Sequence, residues 1–369
     1  MYPATINQRE SIVRHMPIYR SRALLRSYLT AGYALFIVYA SLSPFAGWQE
    51  QGLEFMAVLA SPLGQTYSWF DAVTNFLAYL PFGLLFGLML RARLSAAASI
   101  LLATLVGLLF SALMEYLQMY LPHRISSNLD LLMNGFGMLS GSVLAVSIVP
   151  RAWFFYLMHW RFQLFQRGQG VDFGLALVLL WMFAQINPSL PMLGNVFISA
   201  VVRQPFVPPP VESFSWLESI AVALNLLMLG TLLLTLLRSR RHAVAGLMLV
   251  LFVIALTKFI AAAVLLKSWA LLLWLNSEAM LGVAIGVLLM SIIGWLARPY
   301  LIRLAVLVAC AYLLLAHGIL DSGSPSAAMR LYQWRFGHLL NYNGLSQTVM
   351  LAFPLLMLGY LWRGVMRRE

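Results

Sequence analysis

The sequence is poor in charge. Only 10% of its 369 residues are Asp, Glu, Lys or Arg, against about a quarter in an ordinary soluble domain. That excludes a soluble enzyme, a nucleic-acid-binding module and a disordered tail. Lysine is nearly missing: of 24 basic residues only Lys258 and Lys267 are lysines, and neither stands in a glycine-rich context, which excludes a P-loop. There is one cysteine, Cys310, inside an apolar run. No disulfide can form within the chain, and cysteine-based zinc sites have no basis. Acidic residues number only 12, leaving a net charge of +12. The arginines stand in short clusters between apolar runs, which is the pattern of membrane insertion and not of a phosphate-binding groove.

What is there instead is apolar text, 62% of the chain. Runs of about 20 apolar residues recur throughout, as in an all-α polytopic membrane protein. The runs predict ten spans, near 28–47, 70–90, 95–120, 128–149, 171–187, 215–237, 243–266, 270–296, 301–320 and 345–362. The first ends in Ser41, Leu42, Ser43, Pro44 and Phe45 without a small-residue cleavage site, and is expected to be a retained span. With ten spans the connecting charges divide unequally. Eighteen arginines, from Arg9 to Arg368, fall on one side, whereas Arg124, Arg203, Lys267, Arg330 and Arg335 fall on the other. That asymmetry predicts cytoplasmic N- and C-termini. Segment 151–170 mixes Trp153, Phe154, Phe155, Trp160, Phe162 and Phe165 with three arginines, which suits a cytoplasmic stretch at headgroup level. The loop 188–214 carries Pro208, Pro209 and Pro210 and is expected to be extended and external.

Ionisable groups inside a membrane are costly and are functional candidates by default. Here they follow one format, a carboxylate followed within one helical turn by a carboxamide: Asp71 and Asn75, Glu115 and Gln118, Asp130 and Asn134. The expected topology puts all three pairs, with Arg124, on the external face as one outward-facing polar pocket. Asp71 and Asp130 alone can be read as helix caps, and Arg124 alone as a headgroup anchor. Glu115 has no such reading, because the C-terminal end of a helix disfavours negative charge. Gly83 with Gly87, and Gly137 with Gly141, form small-xxx-small pairs on the second and fourth spans, and Pro81 can kink the second.

Residues Asp71 to Asn75, Pro81 to Gly83, Glu115 to Gln118, Arg124 and Asp130 to Gly137, with Ser41 to Phe45, resemble the VanZ-like family over about residues 30–148. The resemblance implies a bacterial four-helix membrane domain at the cell envelope, in a family associated with glycopeptide resistance, and localisation in the inner (cytoplasmic) membrane. It brings no settled reaction. It marks Asp71, Asn75, Glu115, Gln118, Arg124, Asp130 and Asn134 as signature positions. Ala72 replaces the basic neighbour of the first aspartate, which removes a local ion pair.

The second half reads as a degenerate parallel copy. Asn187 and Pro188 follow span five as Ser43 and Pro44 follow span one, and Ser215, Trp216 and Glu218 open span six as Ser68, Trp69 and Asp71 open span two. Lys258 falls near the place of Glu115, while Asn276 and Glu278 fall near that of Asp130. The expected organisation is a basic segment 1–27, a VanZ-like four-helix domain 28–150, an interfacial linker 151–170, a degenerate second unit 171–297 and two further helices in 298–369. Lys258 is expected either to pair with Glu278, Glu218 or a first-half carboxylate, or to snorkel to the outer headgroups.

Three functions fit the candidate pocket. In an enzyme acting on a lipid-linked envelope precursor, Glu115 serves as acid or base and Arg124 grips a phosphate or carboxylate. Asp71 and Asp130, with Asn75 and Asn134, then offer oxygen ligands to a divalent cation. No metal or other cofactor is assigned. In a binding or proton-coupled transport protein, the pocket takes a glycopeptide, a lipid headgroup or a proton, although a parallel copy provides no inverted repeat to rock. In a scaffold for envelope assembly, the polar set holds helices together. Membrane lipids are the expected partners in each case, and nucleic acid is not.

Overall fold

A computed structural model describes residues 24–52, 54–62, 69–122, 124, 126–166, 168–198, 214–320, 323–334 and 337–366. Arg9, Arg14, Arg20, Arg22, His123, Arg167, Arg203, Pro208 to Pro210, Arg335, Arg367 and Arg368 lie outside them. The described residues are helical, with two isolated bridges, Phe165 to Leu237 and Leu266 to Tyr332, and no sheet among them. The chain divides into two compact units, 1–158 and 159–369.

Unit 1 contains α1 (Leu24–Leu42), the short α2 (Phe55–Ala60), α3 (Trp69–Leu90), α4 (Ala96–Gln118) and α5 (Asn128–Ile148), and the boundary falls within α6 (Ala152–Leu164). Unit 2 contains α7 (Gln169–Gln185), α8 (Trp216–Leu236), α9 (Ala243–Leu265), α10 (Ser277–Ile293), α11 (Arg298–Leu313) and α12 (Gly337–Met366). Each predicted span overlaps one of these helices. Among the described residues seven are long and apolar enough to cross a membrane: α3, α4, α5, α8, α9, α11 with its extension to Ile319, and α12. The helices α7 and α10 are shorter apolar segments. In α1, Arg26, Ser27, Tyr28, Tyr33 and Tyr39 dilute the apolar text.

The predicted boundaries shift where local chemistry overrides composition. α1 stops at Leu42 and not at residue 47, because Pro44 disfavours a helical Ser43 and Phe45 takes a positive φ of 60°. Span eight begins only at Ser277: Asn276 accepts the Ala279 N–H at 3.0 Å and caps α10, and a 3-10 turn at Ser268–Ala270 precedes it. Ser95 and Ser127 cap α4 and α5, accepting from the N–H groups of Ala98 and Leu129. Span nine ends in a π turn, Leu314–Ile319.

The helices α3 and α5 form the closest pair of unit 1, and the glycines make this approach possible. A Cβ on Gly141 would stand 2.1 Å from the Leu80 carbonyl oxygen, one on Gly83 2.4 Å from that of Met138, and one on Gly137 2.5 Å from that of Phe76. The two backbones thus touch over about two turns. Ile37, Leu42, Tyr79, Phe82, Met114, Leu121 and Met138 form the adjoining core. In unit 2 the central element is α8, largely apolar and nine-tenths buried along its most apolar stretch. The large apolar side chains Trp153, Phe155, Tyr156, Leu157 and Trp160 of α6 are exposed, while Phe154 is buried under the Arg26 guanidinium, 5.8 Å away.

Candidate functional site

Antiparallel packing brings four helix ends of unit 1 together: the C-termini of α1 and α4 and the N-termini of α3 and α5. The predicted polar residues sit at this one end. Asn75 on α3 donates its amide to the Asp130 carboxylate on α5. This bond depends on the glycine contact described above, which sets α3 and α5 close enough for an amide to reach across. Asp130 is buried, and Ser127, not Asp130, is the cap of α5. Asp71 lies in the first turn of α3, one turn before Asn75.

Glu115 is 5% exposed and accepts the Ser127 N–H at 3.0 Å. Its main-chain carbonyl accepts from the Ser126 hydroxyl at 2.7 Å. The Glu115 carboxyl and the last-turn carbonyl of α4 thus each receive one donor from the segment that opens α5. Asn134, buried one turn below Asp130, donates to the Ser111 hydroxyl at 2.8 Å, and its Oδ1 has no hydrogen-bond partner.

Gln118 and Arg124 face the other way, toward the end of α1. Gln118 donates to the Ser41 carbonyl at 3.1 Å. Arg124 donates through Nη2 to the Ala40 carbonyl at 2.8 Å, with that of Ser43 at 3.5 Å. These carbonyls have lost their helical partners because α1 ends at Pro44. The Arg124 Nε is buried without a partner. Burial pulls the Arg124 guanidinium below its ordinary pKa, and the Glu115 charge offsets part of that. The seven residues thus lie toward one end of the bundle: Asn75 with Asp130 between α3 and α5, Gln118 with Arg124 against α1, Glu115 against the turn that opens α5, Asn134 against Ser111, and Asp71 in the first turn of α3. Ser111, Ser126 and Ser127 complete the network and are not among the predicted residues. Among the described residues no group of three His, Cys, Asp or Glu side chains is placed to hold a metal ion.

Unit 2 also holds a buried cation at a helix end. Lys258 on α9 is fully buried, and its Nζ donates to the carbonyls of Gln185 at 2.9 Å and Asn187 at 2.6 Å, at the end of α7. This corrects the expectation of snorkelling or an ion pair: main-chain carbonyls before Pro188 solvate the ammonium, as those before Pro44 receive Arg124. Asn276 on the cap of α10 donates to Glu218 on α8 at 3.5 Å, the amide-to-carboxylate link of unit 1 with the two helices exchanged. Gly282 and Gly286 set α10 against Ser219, Val222 and Leu226 of α8.

Among known proteins, residues 25–153 match the family VanZ-LLP1, described as VanZ/LLP1. No curated protein matches the chain, and no solved structure does. The match covers α1 to α5 and every one of the seven polar residues above. Residues 25–153 thus carry a VanZ/LLP1-family domain, within a chain of helices long and apolar enough to cross a membrane.

Proposed function

We propose that the polar end of unit 1 is an outward-facing site that binds the anionic headgroup of an envelope lipid, lipid-linked precursors included, in the inner membrane of a bacterium. The observation that carries this reading is Arg124. Its guanidinium has five donors in a planar fork, spends Nη2 on the end of α1 and keeps a buried Nε without a partner. A buried donor left unmade costs about 1–3 kcal/mol, and a phosphate or carboxylate oxygen is the acceptor that a guanidinium fork fits best. Glu115 and Asp130 then discriminate against ligands without donors of their own. A glycopeptide carboxylate is the alternative ligand for the same fork. The outward direction rests on the eighteen-to-five division of basic residues.

The scaffold reading is favoured by a specific observation as well. The side chains of Asn75, Gln118 and Asn134 hydrogen-bond to neighbouring helices or helix ends. We assign these three to holding the bundle, and Arg124 and Glu115 to the ligand. We also propose that unit 2 is a degenerate copy of unit 1. The matching pairs at the helix ends support it: Lys258 with the α7 carbonyls, Asn276 with Glu218, and the α10 glycines against α8.

The test is lipid-resolved. The protein is purified in discs of native membrane, and co-purifying molecules are identified by mass spectrometry for wild type, Glu115→Ala and Arg124→Ala. A lipid or precursor with an anionic headgroup, enriched about tenfold on wild type (about 1.4 kcal/mol) and lost from both variants, is the expected result. Identical profiles from three equally stable proteins would leave the whole set as packing.

A further inference from the structure

A cleft of about 600 Å³ opens between α2, α4 and α5, lined by Leu59 and Ser61, by Thr104 and Leu108, and along α5 from Asn128 to Leu139. Its outer end is polar. The Asn128 amide donates to the carbonyls of Leu59 and Ser61 and holds α2 against the start of α5. Asn128 directly follows Ser127, whose N–H holds Glu115, so the mouth of the cleft and the polar site share one turn of chain. Inward, the lining turns apolar, and Leu132, Phe136 and Leu139 are each exposed. Both α4 and α5 are helices long and apolar enough to cross a membrane, so these side chains meet hydrocarbon and not water.

The length of the cleft is the informative quantity. From Asn128 to Leu139 the helix rises about 16 Å, roughly half of the 30 Å hydrocarbon core. That is the depth of one leaflet. Building on the headgroup reading above, we infer that the cleft holds one acyl chain of a glycerophospholipid whose headgroup lies at the polar mouth, on the Ser127–Asn128 turn. A fatty acyl chain ends where the cleft ends. A polyprenyl chain overshoots it and leaves most of its length unaccommodated. The ligand class is therefore narrowed to acyl lipids of the outer leaflet.

Two probes test this in discs of phosphatidylethanolamine: phosphatidylglycerol with a diazirine halfway along one acyl chain, and a long polyprenyl phosphate with a diazirine at the same depth. After photolysis, cross-links are mapped by peptide mass spectrometry on wild type, Leu132→Trp and Leu139→Trp. The tryptophans fill the cleft from exposed positions, and a thermal melt checks that both variants are folded. The acyl probe is expected to label Thr104, Leu108 and Leu139 of wild type, with labelling reduced about tenfold in both tryptophan variants (about 1.4 kcal/mol). The polyprenyl probe is expected to label these positions at least about tenfold less. Equal or stronger labelling by the polyprenyl probe would overturn the assignment to acyl lipids. Acyl labelling that ignores both tryptophans would overturn the cleft as the seat of the chain. If headgroup enrichment on wild type persists while neither probe labels the cleft, this inference fails and the headgroup reading stands. If enrichment is absent too, both fail.

Discussion

A cation inside a membrane span must be solvated by protein, because neither water nor lipid headgroups reach it. Lys258 meets that requirement by donating to carbonyls at and just after the end of α7, before Pro188, and Arg124, in the segment between α4 and α5, donates likewise to the end of α1 before Pro44. The helix end carries partial negative charge and unsatisfied acceptors, so each side supplies what the other lacks. Lys258→Met removes two donors and leaves the Gln185 and Asn187 carbonyls buried. The ammonium's own desolvation cost disappears with it and offsets part of the loss. A net destabilisation of about 1–3 kcal/mol is expected, read as a lowered midpoint in thermal unfolding in detergent. An unchanged midpoint would mean that these carbonyls do not need the lysine. The polar positions of the site were legible in the sequence, because carboxylates and amides in apolar text have few uses. Their partners were not. Main-chain carbonyls of Ala40, Ser41, Ser43, Gln185 and Asn187 carry no residue-type signal, and a serine such as Ser111 in a helix is common enough to pass unnoticed. Lys258 departs from the expected ion pair or snorkelling for this reason: its partners are main-chain carbonyls.

At the scale of the element, the pairing of α3 with α5 controls the site. Asn75 reaches Asp130 only because Gly83, Gly137 and Gly141 let the two backbones touch. In Gly141→Ala the new Cβ would meet the Leu80 carbonyl oxygen at 2.1 Å, so main chain must move. A loss of about 1–3 kcal/mol or more is expected, with the Asn75 link loosened. Gly32 is the control on α1 of the same unit: nothing lies within 4 Å of its Cβ direction. Gly32→Ala is expected to be neutral or to stabilise by up to about 1 kcal/mol through helix propensity. Thermal unfolding of both variants checks the contrast, and equal effects would remove the close approach from the account. The helices themselves were legible from apolar run length. Their ends were less so, because Pro44 and the Asn276 cap act through single residues that a hydropathy average hides.

At the scale of the whole molecule, two facts bear on function. Basic residues are divided eighteen to five by the expected loops, and the seven polar residues of unit 1 lie at one end of its helices. Together they support the proposal that the polar end faces away from the cytoplasm, toward the outer-leaflet headgroups. The sequence could indicate this only through charge asymmetry, since no single residue encodes the direction of a helix bundle. The most direct measurement uses the chain's single cysteine. With Cys310→Ala as background, Ser126→Cys places one thiol on the residue that bonds the Glu115 carbonyl. A membrane-impermeant maleimide is applied to intact cells, and then to discs with and without phosphatidylglycerol. The account predicts labelling from outside the cell, and slower labelling in discs that contain the anionic lipid. Labelling only after the cells are permeabilised, or a rate indifferent to phosphatidylglycerol, would contradict an outward-facing headgroup site.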